Sequence, residues 1–133
     1  MSIKFINPEG MMKSPAFSQA IVTEGTGKTI YIGGQNSVDR EGKTVGKYDI
    51  AKQTEQIMKN IGLALEAAGA TYKDIIKMNV YAVNGVDIRK GFEAASRFIG
   101  SNPSPPIVTA LFVAALGSPD YLLEVEVVAF VES

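Results

Sequence analysis

A run of ten residues, Ile107 to Leu116, is apolar except for Thr109, and no other stretch limits the chain's folding as tightly. Pro103, Pro105 and Pro106 stand just before it and hold the backbone extended, so the run enters a β-strand rather than a helix. Successive strand side chains point to opposite faces, which leaves Ile107 to Ala114 with almost nothing polar on either side. Both faces therefore need cover. The run is too short to cross a bilayer, for which a helix needs about twenty apolar residues, so the cover has to be protein. A ligand is expected where that cover is incomplete.

The partners of this strand can be placed by period and punctuation. Ile3 to Ile6 reads as a short edge strand, followed by a loop through Pro8, Gly10 and Pro15. Gln19 to Thr23 and Thr29 to Gly33 read as two strands joined as a hairpin by Glu24-Gly25-Thr26-Gly27-Lys28. Asn36 to Tyr48 is a polar loop. Asp49 then caps an amphipathic helix carrying Ile50, Thr54, Ile57, Met58, Ile61, Ala64, Leu65 and Ala68 on one side and closing at Gly69. Ile75 to Val83 alternates Ile76, Met78, Val80 and Ala82 against Lys77, Asn79, Tyr81 and Val83, the pattern of a strand. Asp87 caps a second helix that buries Ile88, Phe92, Ala95 and Phe98/Ile99 and ends at Gly100. After the apolar strand and the turn Gly117-Ser118-Pro119-Asp120, a last strand sets Leu123, Val125, Val127, Ala129 and Val131 against Leu122, Glu124, Glu126, Val128 and Phe130.

The order β-β-β-α-β-α-β-β predicts an α+β fold, a single mixed β-sheet with two helices packed on one face. Two helices cover one face and not the other. The second face of the apolar strand should then be buried against further copies of the chain, which predicts a symmetric homo-oligomer.

Composition narrows the chemistry. A chain of 133 residues fits one domain, 1–133, without a linker, and its N-terminus carries no apolar signal segment, which makes the cytoplasm the expected location. There is no cysteine and no histidine, which removes thiolate and Ser-His-Asp nucleophiles and the usual zinc sites together. Proton transfer is left to Glu, Asp, Lys, Tyr or water. The net charge of −1, without a basic cluster interleaved with aromatics, argues against a nucleic-acid surface. No Lys or Arg follows Arg97, whereas Asp120, Glu124, Glu126 and Glu132 are acidic.

Three local features bear on function. Gly27-Lys28-Thr29 ends like a phosphate-binding loop, yet the first glycine of that motif would fall on Val22 and a strand follows, so a turn is the better reading. Gly33-Gly34 permits positive φ and close backbone approach, suited either to an anion held by backbone N–H groups or, more simply, to a β-bulge or strand exit. Glu126 lies between apolar neighbours, and loss of hydration there would favour its neutral form and suit it to proton transfer near neutral pH. A solvated strand edge is the alternative for Glu126 and the preferred one for Glu124, which is nearer the turn.

Gly33-Gly34-Gln35, the helix end Glu66-Ala67-Ala68-Gly69, Asp74-Ile75-Ile76-Lys77-Met78-Asn79-Val80-Tyr81 and Leu123-Glu124-Val125-Glu126-Val127-Val128-Ala129 together resemble the RidA (YjgF, reactive intermediate deaminase; endoribonuclease L-PSP-like) family in order and spacing. The resemblance covers nearly the whole chain. It implies a chorismate-mutase-like fold, a homotrimer with a central barrel, and three clefts between subunits. Deaminating members hydrolyse 2-imino acids to 2-keto acids and ammonia, and grip the substrate carboxylate with the arginine of a P-x-R-[ST] motif. Here the motif reads Pro106-Ile107-Val108-Thr109, with Val108 at the arginine position; Phe17 and Gly33 stand where the family has a tyrosine and a small hydroxyl residue. Glu126 matches the glutamate that positions the hydrolytic water.

The resemblance thus assigns Glu126 as the catalytic residue and Phe17, Gly33, Gly34, Asn36, Val108, Thr109 and Ala110 as the cleft, with no metal and no cofactor. Such a cleft suits a neutral or amine-bearing metabolite, and Arg89 or Lys90 of a neighbouring subunit is a candidate replacement for the missing cation. Three classes of function stay open: hydrolysis at a C–N bond, metabolite sensing or chaperone-like binding without turnover, and ribonuclease activity. The last is disfavoured by the acidic balance and the absence of histidine. Neither a membrane nor a nucleic-acid partner is expected.

Overall fold

The computed structural model describes residues 2–133. Its elements follow the expected order: β1 (Ile3–Ile6), β2 (Ala20–Thr23), β3 (Gly27–Gln35), α1 (Ile50–Ala67), β4 (Ile75–Val83), α2 (Ile88–Ile99), β5 (Ile107–Val113) and β6 (Leu123–Glu132), with one 3-10 turn, Tyr72–Asp74, leading into β4. The mixed sheet that carries the helices has four strands in the order β3-β6-β4-β5, in which β4 and β5 run parallel and the other neighbours antiparallel. β1 and β2 pair only with each other, in register Ile3 with Thr23 and Ile6 with Ala20. The hairpin expected between β2 and β3 does not form. β1 takes the edge of β2, while β3 starts two residues earlier than expected and pairs with β6 from Gly27 onward. Gly27 is required there, because a Cβ would run into the Phe130 ring.

α1 forms as its sequence dictates. Asp49 is in extended conformation and its Oδ1 accepts from the Lys52 N–H at 3.0 Å, and Gly69, at φ +81°, carries the chain away from the last turn. Ile57, Met58, Ile61 and Leu65 are exposed by 1% or less and lie on Ile32, Met78, Val80, Val125 and Val127 of the sheet. Burying each such side chain contributes about 2 kcal/mol. Gln53, also buried, is satisfied by three bonds: its Nε2 donates to the Gly46 and Asp120 carbonyls and its Oε1 accepts from the Leu122 N–H. It thereby ties α1 to the turn before β6.

α2 is capped by Asp87 and ended by Gly100, and its Ile88, Ala95, Phe98 and Ile99 pack on the core, as expected; Phe92 is the exception. Gly91 and Ala94 are buried, whereas Phe92 is 45% exposed. Gly91 lets α2 come down on α1: a Cβ there would sit 3.3 Å from the Thr54 hydroxyl. A second correction concerns β4. Ile75 pairs with Ala129 and Lys77 with Val128, so Ile76 is the extra residue of a bulge, and Ile75 rather than Ile76 joins the core.

The helix-covered face of the sheet carries Met78, Val80 and Ala82 of β4 and Leu123, Val125, Val127 and Ala129 of β6. The other face carries Lys77, Asn79 and Tyr81, Glu124, Glu126 and Val128, and Tyr31, which is 79% exposed. The apolar strand β5 lies at the edge. Val108 packs on the core, but Leu111 and Phe112 are 49% and 56% exposed, so within one chain the expected cover is missing even on the helix side at its far end. No helix among the described residues is long and apolar enough to cross a membrane.

Candidate functional site

Strand register assembles the polar site. Thr109 of β5 is level with Asn79 of β4, and Asn79 with Glu126 of β6, so the three form a row across the open face. On the far side of Glu126, Ile32 pairs with Val127 and Gln35 with Val125: three steps along β3 match two along β6, and the extra residue bulges at Gly33-Gly34. The simpler of the two expectations for the glycines is thus met. Neither has positive φ, contrary to the other possibility considered for them; what they permit is close approach, since a Cβ on Gly34 would strike the Glu124 carboxylate.

Glu126 is held by two donors on a single oxygen. The Tyr81 hydroxyl donates to its Oε1 at 2.6 Å and the Asn79 Nδ2 at 2.9 Å. The Tyr81 bond, then the Asn79 bond, hold the carboxyl below its ordinary value against the opposing effect of burial, with a small further contribution from the Lys77 charge. The expectation that burial would favour the neutral acid is therefore corrected. Desolvation is outweighed because two donors stabilise the charged form. The same bond raises the Tyr81 hydroxyl above its usual range. Glu126 is an ionised acceptor at neutral pH, with Oε2 free of protein donors among the described residues. Such a group suits orientation of a water or an amine better than storage of a proton.

Glu124 is not the solvated edge residue expected. It is half-buried, and its Oε1 accepts from the Asn36 Nδ2 at 3.2 Å, while the same Nδ2 donates to the Leu123 carbonyl at 3.3 Å. Asn36 is accordingly spent on holding the β3 exit against β6. Lys77, Asn79, Glu126 and Gly33, with Tyr31 and Val128, surround a recess of about 240 Å³ on this face.

Phe17, Val108 and Ala110 lie elsewhere. They line a larger cleft of about 570 Å³ on the helix side of β5, together with Met78, Phe92 and Pro106. Within one chain the sheet therefore separates the eight residues predicted from sequence into two groups. Gly33, Gly34, Thr109 and Glu126, with Asn36 beside Glu124, occupy the open face, and Phe17, Val108 and Ala110 the covered one. Arg89 lines neither; it reaches into solvent, 90% exposed, beside Asp87.

Sequence reasoning missed Asn79 and Tyr81 as partners of Glu126. The signal was present in half: alternation set both opposite Met78 and Val80, but only the register with β6 puts them beside the glutamate.

Comparison with known proteins agrees with the fold. The family described as endoribonuclease L-PSP matches residues 11–131. A RutC family protein of Pyrococcus abyssi is 36% identical over 116 residues, 87% of each chain. The human 2-iminobutanoate/2-iminopropanoate deaminase is 31% identical over 113 residues, 85% of this chain and 78% of the human one. Among solved structures, the Rid family protein YyfB of Yersinia pestis, of unknown function, superposes with a TM-score of 0.84 at 31% identity, over 98% of this chain and 100% of that one. The RidA of a Psychrobacter species gives a TM-score of 0.70 at 25% identity, over 93% of this chain and all of that one. On sequence and fold together, the chain belongs to the RidA/YjgF family of endoribonuclease L-PSP-like proteins.

Proposed function

We propose that residues 1–133 act as one domain of a cytoplasmic homotrimer whose clefts, between subunits, bind a small metabolite, with Glu126 directing water in hydrolysis at a C–N bond. The observation that carries this reading is the pair of donors from Tyr81 and Asn79 on one oxygen of Glu126, which leaves the other for a water or an amine. The division of the candidate residues between two faces supports the intersubunit cleft. A ligand touching both Val108 and a Glu126 needs the glutamate of a second protomer, and β5 with its exposed Leu111 and Phe112 is the edge at which such a protomer would pack. The ligand is neutral or amine-bearing. No metal, cofactor, nucleic acid or membrane is part of this reading.

The family resemblance implies that deaminating members hold the carboxylate of a 2-imino acid with an arginine at the position where Val108 stands. Removing one partner from a desolvated ion pair costs about 3–5 kcal/mol, on the order of a hundredfold to several thousandfold in affinity. 2-Imino acid deamination by this chain is therefore weak or absent, unless Arg89 or Lys90 of a neighbour supplies the cation. Side-by-side assays with the human deaminase on 2-iminobutanoate should give a rate lower by about a hundredfold or more, with the residual turnover abolished in Glu126→Gln. Equal rates would refute the reading. A ligand that raises the melting temperature without being turned over would instead favour a sensor or chaperone-like role. Ribonuclease activity, with the acidic balance against it, would have to survive purification and disappear on substitution of Lys or Arg residues.

A further inference from the structure

The cleft beside Val108 has the make-up of a preformed pocket. Its floor is Met78, Val108 and Ala110, and its walls are α2, through Phe92 and Ile99, and the segment before β2, through Phe17. That segment is fastened to the opposite rim. The Ser18 N–H donates to the Pro106 carbonyl at 3.0 Å and the Ser18 hydroxyl to the Pro105 carbonyl at 2.6 Å, with Ser18 only 2% exposed. The rim itself is proline, whose fixed φ limits how far it can collapse into the space. At about 570 Å³ the cleft is within the range of small-molecule sites.

Its chemistry is one-sided. None of the lining side chains is charged, and only two, Ser96 and Asn102, are polar. The Ser96 hydroxyl spends its proton on the Glu93 carbonyl at 2.7 Å. Asn102 accepts the Ser104 N–H on Oδ1 at 2.9 Å, which sets the amide so that Nδ2, without a protein partner among the described residues, remains as the donor. A carboxylate here would lose its hydration and meet no cation in the cleft's own lining, Lys13 standing in the adjoining recess beyond Asn102; a neutral acceptor would lose far less and gain one hydrogen bond.

We propose that this cleft selects an uncharged ligand with an aromatic or branched apolar body and a single carbonyl-type acceptor, bound by Asn102, and rejects carboxylates of the same shape. This rests on the reading above that the Phe17, Val108 and Ala110 wall belongs to the ligand cleft, and it specifies the ligand class. Phenylacetamide and phenylacetate, alike in size and different in charge, test it by calorimetric titration of the full chain. Phenylacetamide should bind at least about tenfold tighter. Val108→Arg should reverse that order, and Asn102→Ala, on the loop between α2 and β5, should weaken the amide about tenfold without changing the circular dichroism.

Equal or tighter binding of phenylacetate by the unsubstituted protein would overturn the proposal. So would absence of saturable phenylacetamide binding up to about 10 mM, the result expected if a side chain of a second copy fills the space. Binding and turnover are read separately. Amide preference without any Glu126-dependent hydrolysis would sink the hydrolytic reading and leave this one standing; hydrolysis without amide preference would do the opposite.

Discussion

β5 and β6 make opposite bargains with water. β6 carries three glutamates, Glu124, Glu126 and, at its exposed end, Glu132, yet lies inside the sheet, paired on both sides, with Leu123, Val125, Val127 and Ala129 each exposed by 3% or less. β5 has one polar side chain, Thr109, yet lies at the edge with Leu111 and Phe112 half open to solvent. A strand's polarity is thus a poor guide to its place within the chain. In β6 Glu124 and Glu126 are tolerated because neighbouring residues donate to them: Asn36, just after β3, to Glu124, and Tyr81 and Asn79 of β4 to Glu126. In β5 no group among the described residues covers Leu111 and Phe112, and the homo-oligomer proposed above would cover them.

The largest expected effect separates the two strands by stability. Leu123→Ala should lower the unfolding free energy by about 3 kcal/mol at any protein concentration, because it opens a cavity in the core. Phe112→Ala should change the intrinsic stability of one chain by less than about 1 kcal/mol and act instead on its concentration dependence. Urea melts at two protein concentrations measure both, and equal losses at both sites would abolish the distinction.

A smaller effect concerns Glu126 of β6. Its folded pKa is depressed, so the stability it contributes is present above the ordinary value of 4.5 and is lost as pH falls through the folded value. Tyr81, raised above 10.0 by the same bond, contributes below that value and loses the contribution as pH rises. Between these limits the bond is intact. Melts from pH 7 to pH 3 should therefore fall less steeply in Tyr81→Phe and in Glu126→Gln than in the unsubstituted chain; unchanged slopes would mean that the bond does not set the ionisation of Glu126.

The smallest effect is at the bulge facing β6. Gly34→Ala has to displace the Glu124 carboxylate and should destabilise by about 1 kcal/mol, whereas Gly33→Ala, with nothing within 4 Å of the new methyl, should be neutral. Equal losses, measured by thermal unfolding, would show that the close approach of Glu124 does not matter.

Much of this architecture is written locally. Asp49, Gly69, Asp87 and Gly100 mark both helices because caps act within one turn, and the alternation of β6 separates its core residues from its glutamates. What is not local is not legible. The order β3-β6-β4-β5 depends on which strands meet, so neither the partners of Glu126 nor the loss of the β2–β3 hairpin follows from period or turn residues. The burial of Gly91 in α2 is hidden for another reason: the residue, which faces Thr54 of α1, has no side chain and leaves no mark in a hydrophobic pattern. Nor does alternation predict the sign of the Glu126 shift, which depends on two donors from another strand.

Sedimentation equilibrium at micromolar concentration bears on the exposed edge itself. The chain of 14.2 kDa should sediment at three times that mass, and Leu111→Lys on β5 should return it to the mass of one chain with unchanged circular dichroism. A single 14.2 kDa species in the unsubstituted protein, with Leu111 and Phe112 left in water, would contradict it.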